Sequence, residues 1–171
     1  MAIPSGQSVK MLKFGFIRGQ RQMVGPVGLS ASLELSDLGG KFVQIDGSGQ
    51  LDDIAAGDGT IFGWAELSGR TATANSKTYS SVAGADSATV DVSTSSVYCI
   101  PVNPSAVASL AVTMINNCIY ITKDATTNAQ YADIDTAAAG NGQLMIVDVD
   151  LTNNMVYVKI NPTVQNETDL P

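Results

Sequence analysis

The chain has 171 residues, a formal net charge of −7, and 44% hydrophobic but only 6% aromatic and 15% charged residues. That length allows one domain, or one domain with an arm, around a sizeable core. The negative charge argues against nucleic acid as a partner, and no stretch approaches the ~20 apolar residues of a membrane span.

Residues 1–30 carry Pro4, Gly6, Gly15, Gly19, Gly25, Pro26 and Gly28, a density of breakers that regular elements do not tolerate. They are also basic: Lys10, Lys13, Arg18 and Arg21 precede the first acid, Glu34. Yet Met11, Leu12, Phe14, Phe16 and Ile17 are apolar, more than a disordered tail would carry. Two readings follow: a first strand of the sheet, or an arm that orders on a partner. The arm is preferred, with Lys10, Lys13, Phe14, Phe16, Arg18 and Arg21 as its partner-binding residues. The basic residues are not followed by the apolar run of a signal peptide, so no targeting segment is expected.

From residue 41 short β-prone runs repeat between Gly, Asn, Asp, Ser and Pro. They are Lys41–Asp46, Thr60–Leu67, Lys77–Val82, Ala88–Val92, Val97–Val102, Leu110–Ile115, Cys118–Thr122, Gln143–Leu151 and Met155–Ile160. This spacing predicts an all-β domain over residues 31–162, a compact β-barrel or β-sandwich of about 8–10 short strands. Residues 80–96 suit a loop or an edge strand. Short helical turns are expected at Pro104–Leu110 and Asp135–Ala139, and residues 163–171 read as a polar tail.

The C-terminal pair predicts a hairpin with a two-residue turn at Asn153-Asn154. Leu151 then faces Val156, Val149 faces Val158, and Val147 faces Ile160. On the other face Asp150 meets Tyr157 and Asp148 meets Lys159.

Signs of chemistry are few. There is no histidine, which removes the usual Ser-His and Cys-His nucleophiles and the commonest zinc ligand. Cys99 and Cys118 lie in apolar runs and are expected as buried free thiols, although a disulfide stays open. Asp46-Gly47-Ser48-Gly49 and Gly57-Asp58-Gly59 fit hairpin turns better than phosphate loops. Asp46, Asp52, Asp53 and Asp58 lack EF-hand spacing and fit a solvated loop better than a calcium site. Trp64 suits the core or a contact between subunits. No catalytic site, cofactor or metal is expected, and the chain is read as a binding protein rather than an enzyme.

One segment resembles a known pattern. Leu35-Ser-Asp-Leu-Gly-Gly-Lys-Phe-Val-Gln-Ile-Asp-Gly-Ser-Gly-Gln-Leu, followed by Ile54-Ala-Ala-Gly-Asp-Gly-Thr-Ile-Phe-Gly-Trp-Ala, is similar to the capsid decoration (cement) proteins of tailed bacteriophages. In both, a strand ends in Asp-Gly, and an Ala-Gly-Asp turn leads to an Ile-Phe-Gly-x-Ala strand. The resemblance implies a homotrimeric β-domain on the capsid exterior of a virion assembled in the host cytoplasm. It would bridge subunits of the major capsid protein and stabilise the shell. The alternative is another β-rich virion component: a head fibre base, a tail protein or a receptor-binding module.

Overall fold

The computed structural model describes residues 15–31, 33–35, 40–54, 60–65, 77–78, 82–123, 129–135 and 140–165. The protein is all-β, with two main antiparallel sheets in a sandwich-like arrangement. The first sheet has the order β1 (Gly15–Arg18), β9 (Val97–Pro101), β13 (Met155–Ile160), β12 (Leu144–Asp150), β10 (Cys118–Lys123), β11 (Gln130–Asp133). The second has the order β2 (Met23–Gly28), β8 (Ser87–Asp91), β6 (Gly63–Ala65), β4 (Lys41–Ile45), β5 (Leu51–Asp53). A separate pair joins β3 (Glu34–Leu35) to β7 (Lys77–Thr78). No helix among the described residues is long and apolar enough to cross a membrane.

Both sheets curl. A single parallel bridge from Leu29, just past β2, reaches Leu51 in β5, and another from Val102, just past β9, reaches Ala132 in β11. These bridges draw the far edge of each sheet toward its beginning without closing a barrel. Inside the second sheet Val27, Leu29, Val43, Leu51, Phe62 and Val90 form one core. The larger core lies against the first sheet and includes Ile100, Ile121, Leu144, Ile146, Val156, Val158 and Ile160. Phe42 and Trp64 join it from the second sheet. They pack with Tyr98 at centroid distances of 4.8 Å (Phe42–Trp64), 5.2 Å (Phe42–Tyr98) and 5.2 Å (Trp64–Tyr98). Each such aromatic pair contributes about 0.5–1.5 kcal/mol beyond burial alone.

Sequence alternation explains the inner faces. In β13, Val156, Val158 and Ile160 are buried, while Met155, Tyr157 and Lys159 point the other way and stay half-buried. This is the period of two expected of a strand with one face on a core.

Four expectations change. Residues 15–28 form β1 and β2, one strand in each sheet, so the first-strand reading fits this stretch better than an arm. Their glycines serve close packing: Gly15 has φ +96° and a Cβ there would lie 3.1 Å from Trp64. Residues 1–14, with Lys10, Lys13 and Phe14, lie outside the described residues.

The hairpin forms where expected, but in another register. Val149 pairs with Val156 and Asp148 with Tyr157. A bulge at Val147 then follows, and Ile146 pairs with Val158, Met145 with Lys159 and Leu144 with Ile160. The cause is Asp150. Its carboxylate accepts from the amides of Thr152 (3.0 Å) and Asn153 (3.1 Å) and from the Asn153 side chain (2.8 Å). These bonds favour a loop spanning 151–154, with Asn154 at φ 56°. Leu151, expected inside, is therefore 51% exposed.

Leu110–Ile115 is not a strand but a 3-10 turn at Val112–Met114, and the short helix expected before it is a 3-10 turn at Val107–Ser109. Of the second helical turn expected, 136–139 lie outside the described residues. Residues 82–86 turn into β8, which is an interior strand and not an edge.

Candidate functional site

The polar groups that the fold brings together are largely spent on joining strands. Asp91, the last residue of β8, is fully buried at the junction of the two sheets. Its carboxylate accepts from the amides of Gln22 (2.9 Å) and Ser93 (3.1 Å), from the hydroxyls of Ser96 (2.8 Å) and Tyr98 (2.8 Å), and from Arg21 Nε (3.2 Å). Burial alone would raise the Asp91 pKa. The bonds from Gln22, Ser96, Tyr98 and Ser93 outweigh it and hold the carboxyl below its ordinary value. Burial, together with donation to Asp91, pushes the Tyr98 phenol far up, so it remains a donor.

Arg21 also lies over the Phe16 ring, 4.7 Å from its centroid, and Phe16 meets Tyr98 edge-on at 6.1 Å. Phe16 and Arg21, expected on a partner-binding arm, are thus the clamp that fixes the β1–β2 connection to the body. Arg18, at the end of β1, is exposed and pairs through its backbone with Val97.

Beside this junction is an open depression of about 480 Å³ lined by Gln20, Arg21, Gln22, Val92, Ser93, Thr94 and Ser95. Its hydroxyls bond among themselves: Ser93 and Ser95 hydroxyls lie 2.8 Å apart, and Ser95 Oγ donates to the Gln20 carbonyl at 3.1 Å. The wall is therefore a braced loop.

Three further polar side chains join strands. Lys41, 1% exposed, pairs with Asp53, which also meets Lys123 at 3.0 Å; this links β4, β5 and β10. Gln130 pairs like a strand residue with Phe42, accepting from its amide and donating to its carbonyl, both at 2.8 Å. Gln143 accepts from the Ile121 amide at 2.8 Å. A lone charge in an otherwise uncharged strand, as in Ala88-Thr89-Val90-Asp91-Val92, is the sequence signal that would have found the Asp91 junction.

The acidic group expected around the β4–β5 turn separates into structural roles. Asp46 Oδ1 caps the turn, accepting from the amides of Ser48 (2.8 Å) and Gln50 (2.9 Å). Asp52 accepts from Ser30 Oγ at 2.8 Å. Asp58 lies outside the described residues. No group of three or more metal-ligating side chains occurs among the described residues.

Trp64 is 2% exposed and belongs to the core, which leaves no face for a subunit contact. Cys99 and Cys118 are both free. Burial, then the Asp150 charge, push the Cys99 thiol up to about 11, against a hydrogen bond with Tyr157 that lowers it.

The outer face of the first sheet carries side chains of a different kind. Tyr157 and Asp148 stand directly opposite each other on β13 and β12, and Tyr120 and Asp133 on β10 and β11. Tyr131, Met145, Met155 and Lys159 share that face. Asp148 is exposed and the others are half-buried. No protein-family model matches the chain, and neither a curated protein nor a solved structure shows detectable similarity to it.

Proposed function

We propose that this protein is a virion structural protein that binds the outside of a phage capsid and stabilises it by bridging major capsid protein subunits. The observation that carries this reading is the division of labour among its side chains. Buried polar groups such as Asp91, Lys41, Gln130 and Gln143 join strands, while tyrosine and methionine are displayed on one broad sheet face. Tyrosine and methionine are the residue types enriched where proteins meet. The segment that resembles the decoration proteins supplies β4, the Asp46-capped turn, β5 and β6. A rigid β-body with a wide face suits a part that holds neighbouring shell subunits together, and a homotrimer would multiply weak contacts through effective concentration.

The test is co-sedimentation of the full chain with undecorated shells of the phage that encodes it. Saturable binding and a raised shell disruption temperature are expected. A chain that stays in the supernatant at every concentration overturns the proposal.

A further inference from the structure

We infer that Lys41 and Asp53 join in a spontaneous intramolecular isopeptide bond that ties β4 to β5 covalently. The inference goes beyond the decoration reading and does not depend on it, because it concerns only this chain's own side chains.

Strand register brings the two groups together. Lys41 lies opposite Ala65 across β4 and β6, and Asp53 lies opposite Val43 across β4 and β5. Side chains two residues apart on a strand share a face, so Lys41, Val43 and Asp53 stand on the same side of the second sheet. Asp53 is thus the diagonal cross-strand neighbour of Lys41, within reach of a long side chain. The backbone at Asp53 is held as well. Its carbonyl accepts from Gln44 Nε2 at 2.8 Å, and its amide donates to Asp52 Oδ1 at 2.9 Å.

Burial sets the chemistry. Lys41 is 1% exposed, and Val43 and Ala65 on the same face are fully buried. Desolvation favours the neutral amine of a lysine, which is its nucleophilic form. The Lys41 nitrogen contacts Oδ1 of Asp53. On the other oxygen, Oδ2, the Lys123 ammonium from β10 donates at 3.0 Å. One carboxylate therefore has a nucleophile at one oxygen and a fixed cation at the other. Groups held in this way react as a single molecule, without the entropy loss of an encounter.

The step balances on these three residues. The Lys41 ammonium passes a proton to Oδ1, and the freed lone pair forms the Nζ–Cγ bond. Oδ2 carries the negative charge of the tetrahedral intermediate, where Lys123 stabilises it as an oxyanion donor. A second proton passes from Nζ to Oδ1, the Cγ–Oδ1 bond breaks, and Oδ1 leaves as water. Oδ2 becomes the amide carbonyl oxygen. A neutral amide then replaces an ion pair whose desolvation its own attraction offsets only in part.

Mass spectrometry of the full chain, unfolded in acid, tests this. The wild type should be lighter than its sequence by one water. Trypsin should fail to cut after Lys41 and should release residues 22–70 as one peptide, lighter by the same water. Lys41→Arg and Asp53→Ala should each restore the full mass. Lys123→Gln should leave a fraction of chains at full mass and open to cleavage after Lys41, because the oxyanion loses its cation. Complete linking in Lys123→Gln overturns the role given to Lys123. A wild type at its sequence mass, or one cut cleanly after Lys41, overturns the inference. A water loss that survives Lys41→Arg is a succinimide, as at Asp46-Gly47, and overturns it too.

Discussion

At the scale of single residues, the decisive group is Asp91, a buried carboxylate with five donors around it. Removing its charge abolishes the ion pair that Arg21 Nε makes with it. Asp91→Asn should therefore cost about 2–3 kcal/mol, below the usual figure for breaking a buried pair because Arg21 keeps some solvent contact. Urea denaturation at pH 7 measures this.

The same group sets an acid limit. Its folded pKa lies below the ordinary value of 3.8, so the unfolded chain takes up the proton first as pH falls. The stabilisation is complete above the unfolded value and is lost as pH drops through the folded one. Stability of the wild type should thus fall more steeply below about pH 4 than that of Asp91→Asn, and parallel slopes would contradict it.

Cys99 makes a second residue-scale prediction. With its thiol pushed up to about 11 and only 2% of the residue exposed, it should react with a thiol reagent at pH 8 only as fast as the β9–β13 region opens. Rapid labelling of Cys99 in the folded protein would show that β9 is not packed as described.

At the scale of elements, the β12–β13 hairpin separates what alternation determines from what turn chemistry determines. Alternation in Met155–Ile160 was enough to identify the inner face of β13. The partner register was not legible, because it depends on one carboxylate, Asp150, capturing the loop, and on the bulge at Val147. Val158 is fully buried, so Val158→Asp should abolish folding by burying an unpaired charge. Val149 is only half-buried, and Val149→Asp should be milder. Leu151→Ser should change stability by no more than about 0.5 kcal/mol, as for an exposed site. Thermal melts of the three variants would show the ranking. A severe loss from Leu151→Ser would instead favour the shorter turn.

Close approach explains another element. A Cβ on Gly63 would lie 2.5 Å from Val90 Cγ1 and 2.6 Å from the Asp91 carbonyl, so β6 and β8 meet only through glycine. Gly63→Ala should cost on the order of 1–3 kcal/mol, again read by urea denaturation.

Two of the missed strands, β5 and β11, share one feature. β5 carries two aspartates in three residues, and β11 carries Gln130 and Asp133, so polar composition hid them. In each case a long-range contact supplies the strand's reason: Lys41 and Lys123 for Asp53, and Phe42 for Gln130.

At the scale of the whole molecule, composition identified the class because few charges and many small β-branched residues fit stacked sheets. It did not locate the sheet face that displays tyrosine and methionine. The charge split drew attention to the basic N-terminal segment, yet Arg21 and Phe16 turn inward to Asp91 and Tyr98. The tyrosines of the outer sheet face lie far apart in sequence, at 120, 131 and 157, and only strand order brings them onto one surface. Cryo-electron microscopy of the mature particle decides most directly where such a face meets its partner. Density for this β-body is expected on the shell exterior, bridging major capsid subunits, with the outer sheet face that carries Tyr120 and Tyr157 turned toward the shell. Density only in the tail or a fibre, or a bridging body whose outer sheet face points to solvent, would contradict it.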